Sequence, residues 1–442
     1  MGSEWSTLPF KEVLCGGTRN GIYKKKEFHG SGVKIVNMGE LFANPRLFSC
    51  PMKRVELTDS EKERFLLKPG DLLFARRSLV ASGAGKCSIV MSADEPTTFE
   101  SSIIRARPNR KVADGRFLYY LFSSPHGRHL LDTIRRQVAV AGITGTDLGQ
   151  LEVPVPPLSD QHRVAETLGT LDDKIELNRQ MNGTLEAMAR AIFKAWFVDF
   201  EPVKAKAAGA TSFRGMPQPV FDQLPNHFTD SELGPVPEGW ERLPLAEVTE
   251  YLKRGISPKY IEKGGVCVIN QRCIRDRWID LAQSRRHNEE LKSVEGRELH
   301  LLDVLVNSTG VGTLGRVAQV FNLSGKTIVD SHVTVVRADP KQIVPEVLGY
   351  DLSFRESEIE MLGHGSTGQT ELSRTRLGEL LVIKAPSDVQ EAFARVVRDL
   401  NDKRVANWLE AQTLAALRDT LLPKLISGEL RVPVAEAGSD GG

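Results

Sequence analysis

Residues 156–200 read PPLSDQHRVAETLGTLDDKIELNRQMNGTLEAMARAIFKAWFVDF, and the spacing of their apolar side chains decides the fold. These side chains, with two asparagines among them, recur at intervals of three and four residues. That is the heptad spacing of a coiled-coil helix, with one slip. Ser159 or Asp160 would cap the start of this helix, and Pro202 would end it near Phe200. We therefore predict a helix of roughly 40 residues, about 60 Å long.

A second long helix is predicted because the same spacing returns further along the chain. Leu377 follows Leu148 by 229 positions. A shift of this size places the second helix between Ser387 or Asp388 and Gly428. A helix of this length would expose its apolar seam alone, so we expect the two to pack as an antiparallel coiled coil within the chain. The alternative is that each helix packs on its own globular domain.

The predicted seam contains polar as well as apolar side chains. Asn178 maps onto Asn407, and a buried asparagine in such a seam specifies register at some cost in stability. The first helix contributes Val164, Leu168, Leu171, Ile175, Asn178, Asn182, Leu185, Met188 and Ile192. The second contributes Phe393, Val397, Leu400, Arg404, Asn407, Ala411, Leu414, Leu417 and Leu421.

The segments that precede the helices repeat as well. Trp5 and the Leu-Pro pair at 8–9 return as Trp240 and the Leu-Pro pair at 243–244. Short β-rich runs between Gly and Pro predict strands at 33–36, 71–74 and 103–106, and at 266–269, 303–306 and 333–337. Short helices are expected over 117–122 and 347–354. The chain is therefore predicted to be α+β, with two mixed α/β domains in tandem pseudo-repeat, each followed by a long helix.

These patterns divide the chain into six segments. We predict a first mixed domain at 1–156, the first long helix at 157–200, and a connector at 201–238 that is rich in Ala, Gly and Pro. A second mixed domain at 239–385, the second long helix at 386–428 and a disordered tail at 429–442 follow.

Charge is distributed unevenly along the 442 residues, although the net charge is only +1. Residues 1–150 carry 23 Lys and Arg against 15 Asp and Glu, whereas 151–240 carry 8 against 13. A basic first domain favours contact with phosphate groups. The five scattered cysteines fit a reducing cytoplasm, and no apolar run is long enough to predict a membrane span.

Motifs for catalysis and for metal binding are missing from the sequence. It has no Asn/Asp-Pro-Pro-aromatic string for adenine methylation. The GAGKC string at 83–87 departs from a phosphate-binding loop at two positions. Asp280, Glu290 and Lys292 resemble a loose nuclease pattern, but such spacings occur often by chance and a charged helix face explains this one. We predict no enzyme activity, no metal and no cofactor in this chain.

Two copies of one surface suit a polymer with its own repeat, and DNA is the obvious candidate. Strands at 71–74 and 303–306 each lead into a Gly-containing loop that ends in a cation, where backbone N–H groups could meet phosphates. Arg, Gln and Asn after residue 269 could contact base edges. Plain turns and solvated basic loops are the alternatives. The candidate DNA contacts are Lys24, Lys25, Arg76, Arg77, Lys86, Gln271, Arg272, Arg275, Arg277, Ser308, Thr309, Arg316, Thr367 and Gln369.

Four strings resemble the specificity subunit of type I restriction-modification systems: PLSDQ at 157–161, AIFKAWFVDF at 191–200, GSTGQTEL at 365–372 and LLPKLISGEL at 421–430. The resemblance implies two target-recognition domains, each reading one half of a split, asymmetric double-stranded DNA site. It also implies that the helix pair sets the gap between the half-sites and is a platform for partners.

The partners implied by the resemblance are two methyltransferase subunits and, where present, two restriction subunits. The methyltransferases would bind S-adenosylmethionine and methylate adenine N6, and the restriction subunits would use ATP and Mg²⁺. The sequence departs from exact pseudo-symmetry, since AGITG at 141–145 stands in place of the Gly-Ser-Thr-Gly-Gln string. The competing hypothesis is a structural adaptor with a coiled-coil platform that does not bind DNA.

Overall fold

The computed structural model describes residues 5–136, 141–230, 234–363 and 371–433. The chain forms two compact units. The first unit comprises Met1–Leu177 and Ala411–Gly442, and the second comprises Asn178–Glu410. Among the described residues, no helix is both long and apolar enough to span a membrane.

A central sheet of five strands organises the first unit, in the order Leu14–Asn20, Ile103–Pro108, Leu72–Ala75, Cys87–Val90 and Arg46–Leu47. Neighbouring strands are antiparallel except for the last pair. Side chains alternate between its two faces. One face packs on the helices Gly115–Ser123 and Pro125–Thr133, and the other packs on the helices Met38–Ala43 and Asp59–Phe65.

Smaller elements complete the first unit. An outer sheet holds Lys53–Val55, His29–Val36 and Thr97–Phe99, and the last two strands are parallel. Two-stranded pairings join Ser6–Pro9 to Glu152–Val155 and Arg77–Ser78 to Ala141–Gly142. A short helix, Gly145–Gly149, precedes strand Glu152–Val155.

The second unit repeats this plan. Its central sheet has the order Thr249–Arg254, Val333–Ala338, Val304–Asn307, Val317–Gln319. Its outer sheet has the order Tyr260–Ile261, Arg285–His287, Val266–Ile269, Thr327–Val329. The remaining pairings are Glu241–Pro244 with Leu381–Lys384, Ile274–Arg275 with Trp278–Ile279, and Phe228–Thr229 with Val236–Pro237. The helices are Glu201–Ala207, Gln218–Gln223, Pro345–Phe354, Glu356–Met361 and Arg374–Gly378.

Equivalent buried ion pairs show how closely the two units repeat. Arg107 donates from Nε and Nη2 to the two carboxylate oxygens of Asp71, each at 2.7 Å. Arg337 donates to Asp303 in the same way, at 2.7 and 2.8 Å. Each pair joins a long central strand to the residue that precedes its neighbour. The predicted α+β class and tandem repeat are therefore confirmed.

Each unit contains one half of each long helix, Leu158–Phe193 and Ser387–Ile426. In the first unit, Arg418 donates to Asp172 at 2.7 Å. In the second, Arg404 bonds Glu186 at 3.1 Å. The second unit also contains bonds from Asn178 to Glu410 and from Asn182 to the carbonyl of Arg404. Along the first helix the residue number therefore rises while the partner number falls, so the helices run antiparallel there, as predicted. A π-helical turn, Lys194–Val198, follows the first helix.

Most predicted seam positions are at least partly buried. Leu168, Asn178, Val397 and Asn407 are buried, while Leu171, Ile175, Leu185, Leu400 and Leu414 are half-buried.

Two seam positions were wrong. Met188 is 49 % exposed and Leu417 is 46 % exposed. Ala189 is buried in place of Met188, because the 3–4 spacing continues there without a slip. Next to Leu417, Arg418 faces the first helix and reaches Asp172.

The connector between the repeats has more structure than its composition indicates. It holds two short helices, and Val203, Val220 and Phe221 share a core with Trp240 and Phe393 in the second unit. Phe200 adopts a left-handed conformation, with φ of 53°, directly before the helix that contains Pro202. The chain therefore turns at Phe200, as the position of the proline predicts.

Candidate nucleic-acid interface

Equivalent loops occur at the same place in both units. Loop 1 (residues 76–86) joins strands Leu72–Ala75 and Cys87–Val90, and loop 2 (residues 308–316) joins Val304–Asn307 and Val317–Gln319. Both loops join antiparallel neighbours in a central sheet. Their ends are therefore held about one strand spacing apart.

A pair of backbone hydrogen bonds closes loop 1. The N–H of Gly85 donates to the carbonyl of Ala75 at 2.8 Å, and the N–H of Ala75 donates to the carbonyl of Lys86 at 2.9 Å. Gly85 has φ of 85°, which a residue with a Cβ rarely adopts. The glycine thereby turns the chain so that Lys86 begins the returning edge of the loop.

Loop 2 is closed identically. Gly315 donates to the carbonyl of Asn307, and Asn307 donates to the carbonyl of Arg316, both at 2.9 Å. Gly315 has φ of 82°, and a Cβ there would meet the backbone nitrogen of Glu360 at 2.8 Å. Lys86 and Arg316 thus occupy the same place in the repeat, as the sequence predicts.

The cations of loop 1 are held by neutral groups. Lys86 Nζ donates to the carbonyl of Phe42 at 3.0 Å and lies 5.2 Å from the centre of its ring. Arg76 is half-buried and reaches the carbonyl of Ser101 at 3.4 Å, while Arg77 is exposed. Across the described residues, these three cations form no ion pair with a carboxylate, so their charge is available to an anion.

Loop 2 places a cluster of hydroxyl, amide and imidazole side chains where loop 1 has arginines. Thr309 Oγ1 lies 3.2 Å from Gln271 Oε1 and 2.8 Å from His332 Nδ1. Arg316 Nη2 donates to the carbonyl of Gly312 at 2.7 Å. Hydroxyl, amide and imidazole groups can both donate and accept, as base edges require. His332 was missed in the sequence, where a lone histidine between strands gives no signal.

The structure does not support the prediction that Ser308 contacts DNA. Its side chain is fully buried, and Oγ lies 2.6 Å from Thr334 Oγ1. The hydroxyl is satisfied inside the sheet, because Ser308 still follows the alternation of the preceding strand. It is not available to a ligand in this conformation.

An arginine-rich hairpin follows strand Val266–Ile269. Asp276 and Arg277, with φ of 51° and 57°, form the turn between strands Ile274–Arg275 and Trp278–Ile279. Arg272 and Arg275 are exposed. The hairpin therefore presents two guanidinium groups that could contact a ligand.

Arg277, in contrast, lies close to carboxylates of the chain itself. Its guanidinium lies 3.7 Å from Glu186 on the first long helix and 3.4 Å from Glu356. Both carboxylates would compete with an external anion for Arg277, which is one of the predicted DNA contacts. Its structural position instead ties the turn to the helix.

Aromatic stacking also anchors this hairpin. Trp278 stacks on Phe321 with ring centres 6.3 Å apart and packs 6.2 Å from Trp408 of the second long helix. Arg404 lies over the ring of Trp278 at 5.1 Å and bonds Glu186. Within the second unit, the hairpin is therefore fastened to both long helices.

The remaining sequence candidates differ in availability. Lys24 bonds Glu61 at 2.7 Å and lies 5.0 Å from the ring of Phe28, whereas Lys25 is exposed. Thr367 and Gln369 lie outside the described residues. The flanking residue Glu371 forms a β-bridge with Thr309 of loop 2.

A basic cluster in the first unit was missed. Arg19 and Arg64 lie 5.8 and 5.7 Å from the ring of Phe65. Arg105, paired with Arg19 across two strands, donates to the carbonyls of Arg64 and Leu66. Burial, with a smaller contribution from neighbouring cations, lowers the pKa of Arg105 to about 10. Alternating arginines on strand 103–108 were the available signal.

Together, the fold and these surfaces define a protein with two repeated basic or polar loop surfaces. Residues 2–187 match the family model described as the type I restriction modification DNA specificity domain. The crystal structure of a type I restriction-modification system S subunit from M. genitalium covers 96 % of both chains with a TM-score of 0.58, at 15 % identity. This likeness shows the fold.

Curated relatives extend the similarity over nearly the whole chain. The HindI specificity subunit of Haemophilus influenzae is 22 % identical, covering 97 % of this chain and all of the relative. The MjaIX specificity subunit of Methanocaldococcus jannaschii is 23 % identical, covering 97 % and 94 %. The EcoKI specificity subunit of Escherichia coli is 28 % identical over 41 % of this chain and 39 % of its own length. The resemblance to type I specificity subunits is therefore confirmed.

Proposed function

We propose that this chain is the sequence-specific DNA-binding subunit of a type I restriction-modification complex and is not itself an enzyme. One observation carries the proposal: both units close the same loop with the same hydrogen bonds and place a cation at the same position. The two loops differ in their other side chains. Repeated scaffolds with different surfaces suit the reading of two different half-sites in one asymmetric DNA.

The chain would supply two kinds of contact to DNA. Lys86 and Arg316 would neutralise phosphates and position the duplex, without reading sequence. Arg272, Arg275 and Gln271 would read base edges in the second unit, because Arg and Gln make bidentate contacts to guanine and adenine. Joining two modest readers in one chain multiplies selectivity.

The long helices would set the gap between half-sites and carry the partners. We propose two methyltransferase subunits, which bind S-adenosylmethionine and methylate adenine N6, and restriction subunits that use ATP and Mg²⁺. The target adenine would be extruded into the methyltransferase, since a stacked base is inaccessible to chemistry. The work of the chain would take place in the cytoplasm, where the host DNA is.

Methylome sequencing of the host with and without this gene tests the proposal. The expected result is one adenine-methylated motif, made of two half-sites at constant spacing, that disappears with the gene. An unchanged methylome would contradict it. Arg272→Ala is expected to weaken binding of DNA that carries the unaltered motif. It should relax sequence recognition in one half-site only. Equal losses on all sequences would refute base reading by Arg272.

The competing function is an adaptor that holds two proteins without binding DNA. A gel shift of the chain with its methyltransferase partner, at controlled salt, separates the two. Salt-dependent retardation of DNA supports the proposal, and a complex that assembles but never retards DNA supports the adaptor.

A further inference from the structure

An apolar side chain projects from the tip of both loops. Leu79 of loop 1 is 91 % exposed, and its neighbour Val80 is 66 % exposed. Val311 of loop 2 is 82 % exposed. Leu79 and Val311 each stand four residues beyond the strand end, Ala75 or Asn307, that closes the loop. The exposure is therefore a repeated property of the scaffold and does not belong to one loop alone.

The loops hold these tips by internal hydrogen bonds. In loop 1, Ser78 Oγ accepts from the N–H of Val80 at 3.2 Å, and Gly83 N–H donates to the carbonyl of Val80 at 2.9 Å. In loop 2, Gly310 accepts from the N–H groups of Thr313 and Leu314 at 3.1 and 3.0 Å. These hydrogen bonds fix the backbone below each exposed apolar side chain. The loop would therefore lose little conformational entropy when the side chain binds a ligand.

The surroundings of the tips are polar. Arg77 and Lys86 share loop 1 with Leu79, and Arg316 and Thr309 share loop 2 with Val311. A protein-binding surface of useful size needs a contiguous apolar patch, whereas one or two apolar side chains on a loop that also carries a cation do not form one. Duplex DNA can bind both kinds of side chain, since its phosphates attract the cations and an apolar side chain can enter between base steps.

We propose that Leu79 and Val311 are wedges that insert between neighbouring base pairs, one in each half-site. Each wedge unstacks one step, which bends the DNA around the unit that carries it. The bend costs an amount that depends on the sequence, so each wedge adds selectivity at a step that no polar side chain reads. This inference rests on the proposed function.

The test uses the full chain in complex with its methyltransferase partner and duplexes carrying the motif found by methylome sequencing. 2-Aminopurine replaces single bases at successive positions, excluding the methylated adenine, and its fluorescence rises where a base unstacks. Wild-type complex is expected to brighten one step in each half-site. Leu79→Ser should abolish the signal in one half and Val311→Ser in the other. Each should weaken specific binding by about tenfold, which is about 1.4 kcal/mol, because the variant loses the additional contacts that bent DNA makes with the protein.

Leu291→Ser is the matched control, because Leu291 is 69 % exposed and lies outside both loops. It should change neither signal nor affinity. Signals and affinities that survive both loop substitutions would overturn the wedges while leaving the proposed function intact. Loss of the methyltransferase partner from either loop variant would overturn them in favour of a protein contact. A wild-type complex that binds no DNA would overturn the proposed function as well.

Discussion

Asn407 on the second long helix donates from Nδ2 to Oδ1 of Asn182 on the first, at 2.9 Å, inside the second unit. Asn178, which the repeat equates with Asn407, bonds Glu410 instead. Asn182 also donates to the carbonyl of Arg404 at 3.0 Å. Buried amides that must meet each other penalise any shift of one helix along the other, which gives these residues a structural role.

Asn407→Ala is expected to lower the free energy of unfolding by about 1–3 kcal/mol, because Oδ1 of Asn182 loses its donor in a largely buried seam. Denaturant titration followed by tryptophan fluorescence measures this, with Trp408 as the neighbouring reporter. Gln412→Ala, an exposed position on the same helix, is the control. The Asn182→Ala/Asn407→Ala double variant should lose less than the sum of the single losses, and strict additivity would contradict a direct contact.

Asp303→Asn and Asp71→Asn should destabilise the protein by similar amounts, about 3 kcal/mol each, since both break a bidentate pair whose carboxylate is enclosed. The Asp303 and Asp71 side chains are 0 % and 1 % exposed. Calorimetric unfolding of each variant provides the comparison. The exposed Asp402→Asn should leave stability unchanged. A large effect in one unit and none in the other would show that the repeated ion pair does not stabilise both units equally.

Asp351 makes stability depend on pH. Burial raises the pKa of its carboxyl from 3.8 to about 6, against the opposing effect of Arg355. The folded chain therefore holds an extra proton between about pH 4 and pH 6, and stability falls as pH rises through that window. Asp351→Asn removes the ionisation, so the variant should gain roughly 2–3 kcal/mol relative to wild type between pH 4 and pH 7. Parallel stability curves in urea titrations across this range would contradict the assignment.

Glu186→Gln should loosen the arginine-rich hairpin. Glu186 bonds Arg404, whose side chain is only 5 % exposed, and loss of the carboxylate leaves a buried guanidinium without its charge partner. A loss of about 3 kcal/mol in unfolding free energy is expected. The fluorescence of Trp278, which Arg404 covers, should also change. Glu166→Gln, on an exposed face of the same helix, is the control, and equal behaviour of the two variants would count against the anchor.

Lys86→Gln and Arg316→Gln should each reduce the salt dependence of DNA binding. The slope of log K against log salt should become shallower by about one unit per variant, because each loses one phosphate contact. Sequence preference should stay the same. Titrations at several salt concentrations measure the slope, and Lys263→Gln, exposed outside both loops, serves as the control. Unchanged slopes in both loop variants would remove these cations from the interface.

Much of the fold was predictable because its signals are local and repeated. The heptad spacing predicted both long helices, and the offset between Leu148 and Leu377 predicted the tandem units. Even the equivalence of Lys86 and Arg316 followed from strand-to-glycine patterns. Met188 and Leu417 were wrong because the predicted slip in the spacing does not occur, so that Ala189 is buried and Arg418 bonds the first helix in their place.

The candidate interface was less predictable than the fold. Ser308 and Thr309 are adjacent in sequence, yet one hydroxyl is buried against Thr334 and the other meets Gln271 and His332. Arg277 and Arg275 have the same side chain, yet Arg277 is paired with carboxylates from distant parts of the chain. Residue type alone does not distinguish these cases.

The amino-acid sequence by itself determined the duplication, the two long helices and the basic character of the first 150 residues, because periodicity and charge are properties of neighbouring positions. Only the tertiary structure decided that Asn407 meets Asn182, that Arg277 is an anchor and that Leu79 and Val311 stand at equivalent loop tips. Contacts between residues remote in sequence depend on how strands and helices pack, and packing is a property of the folded chain.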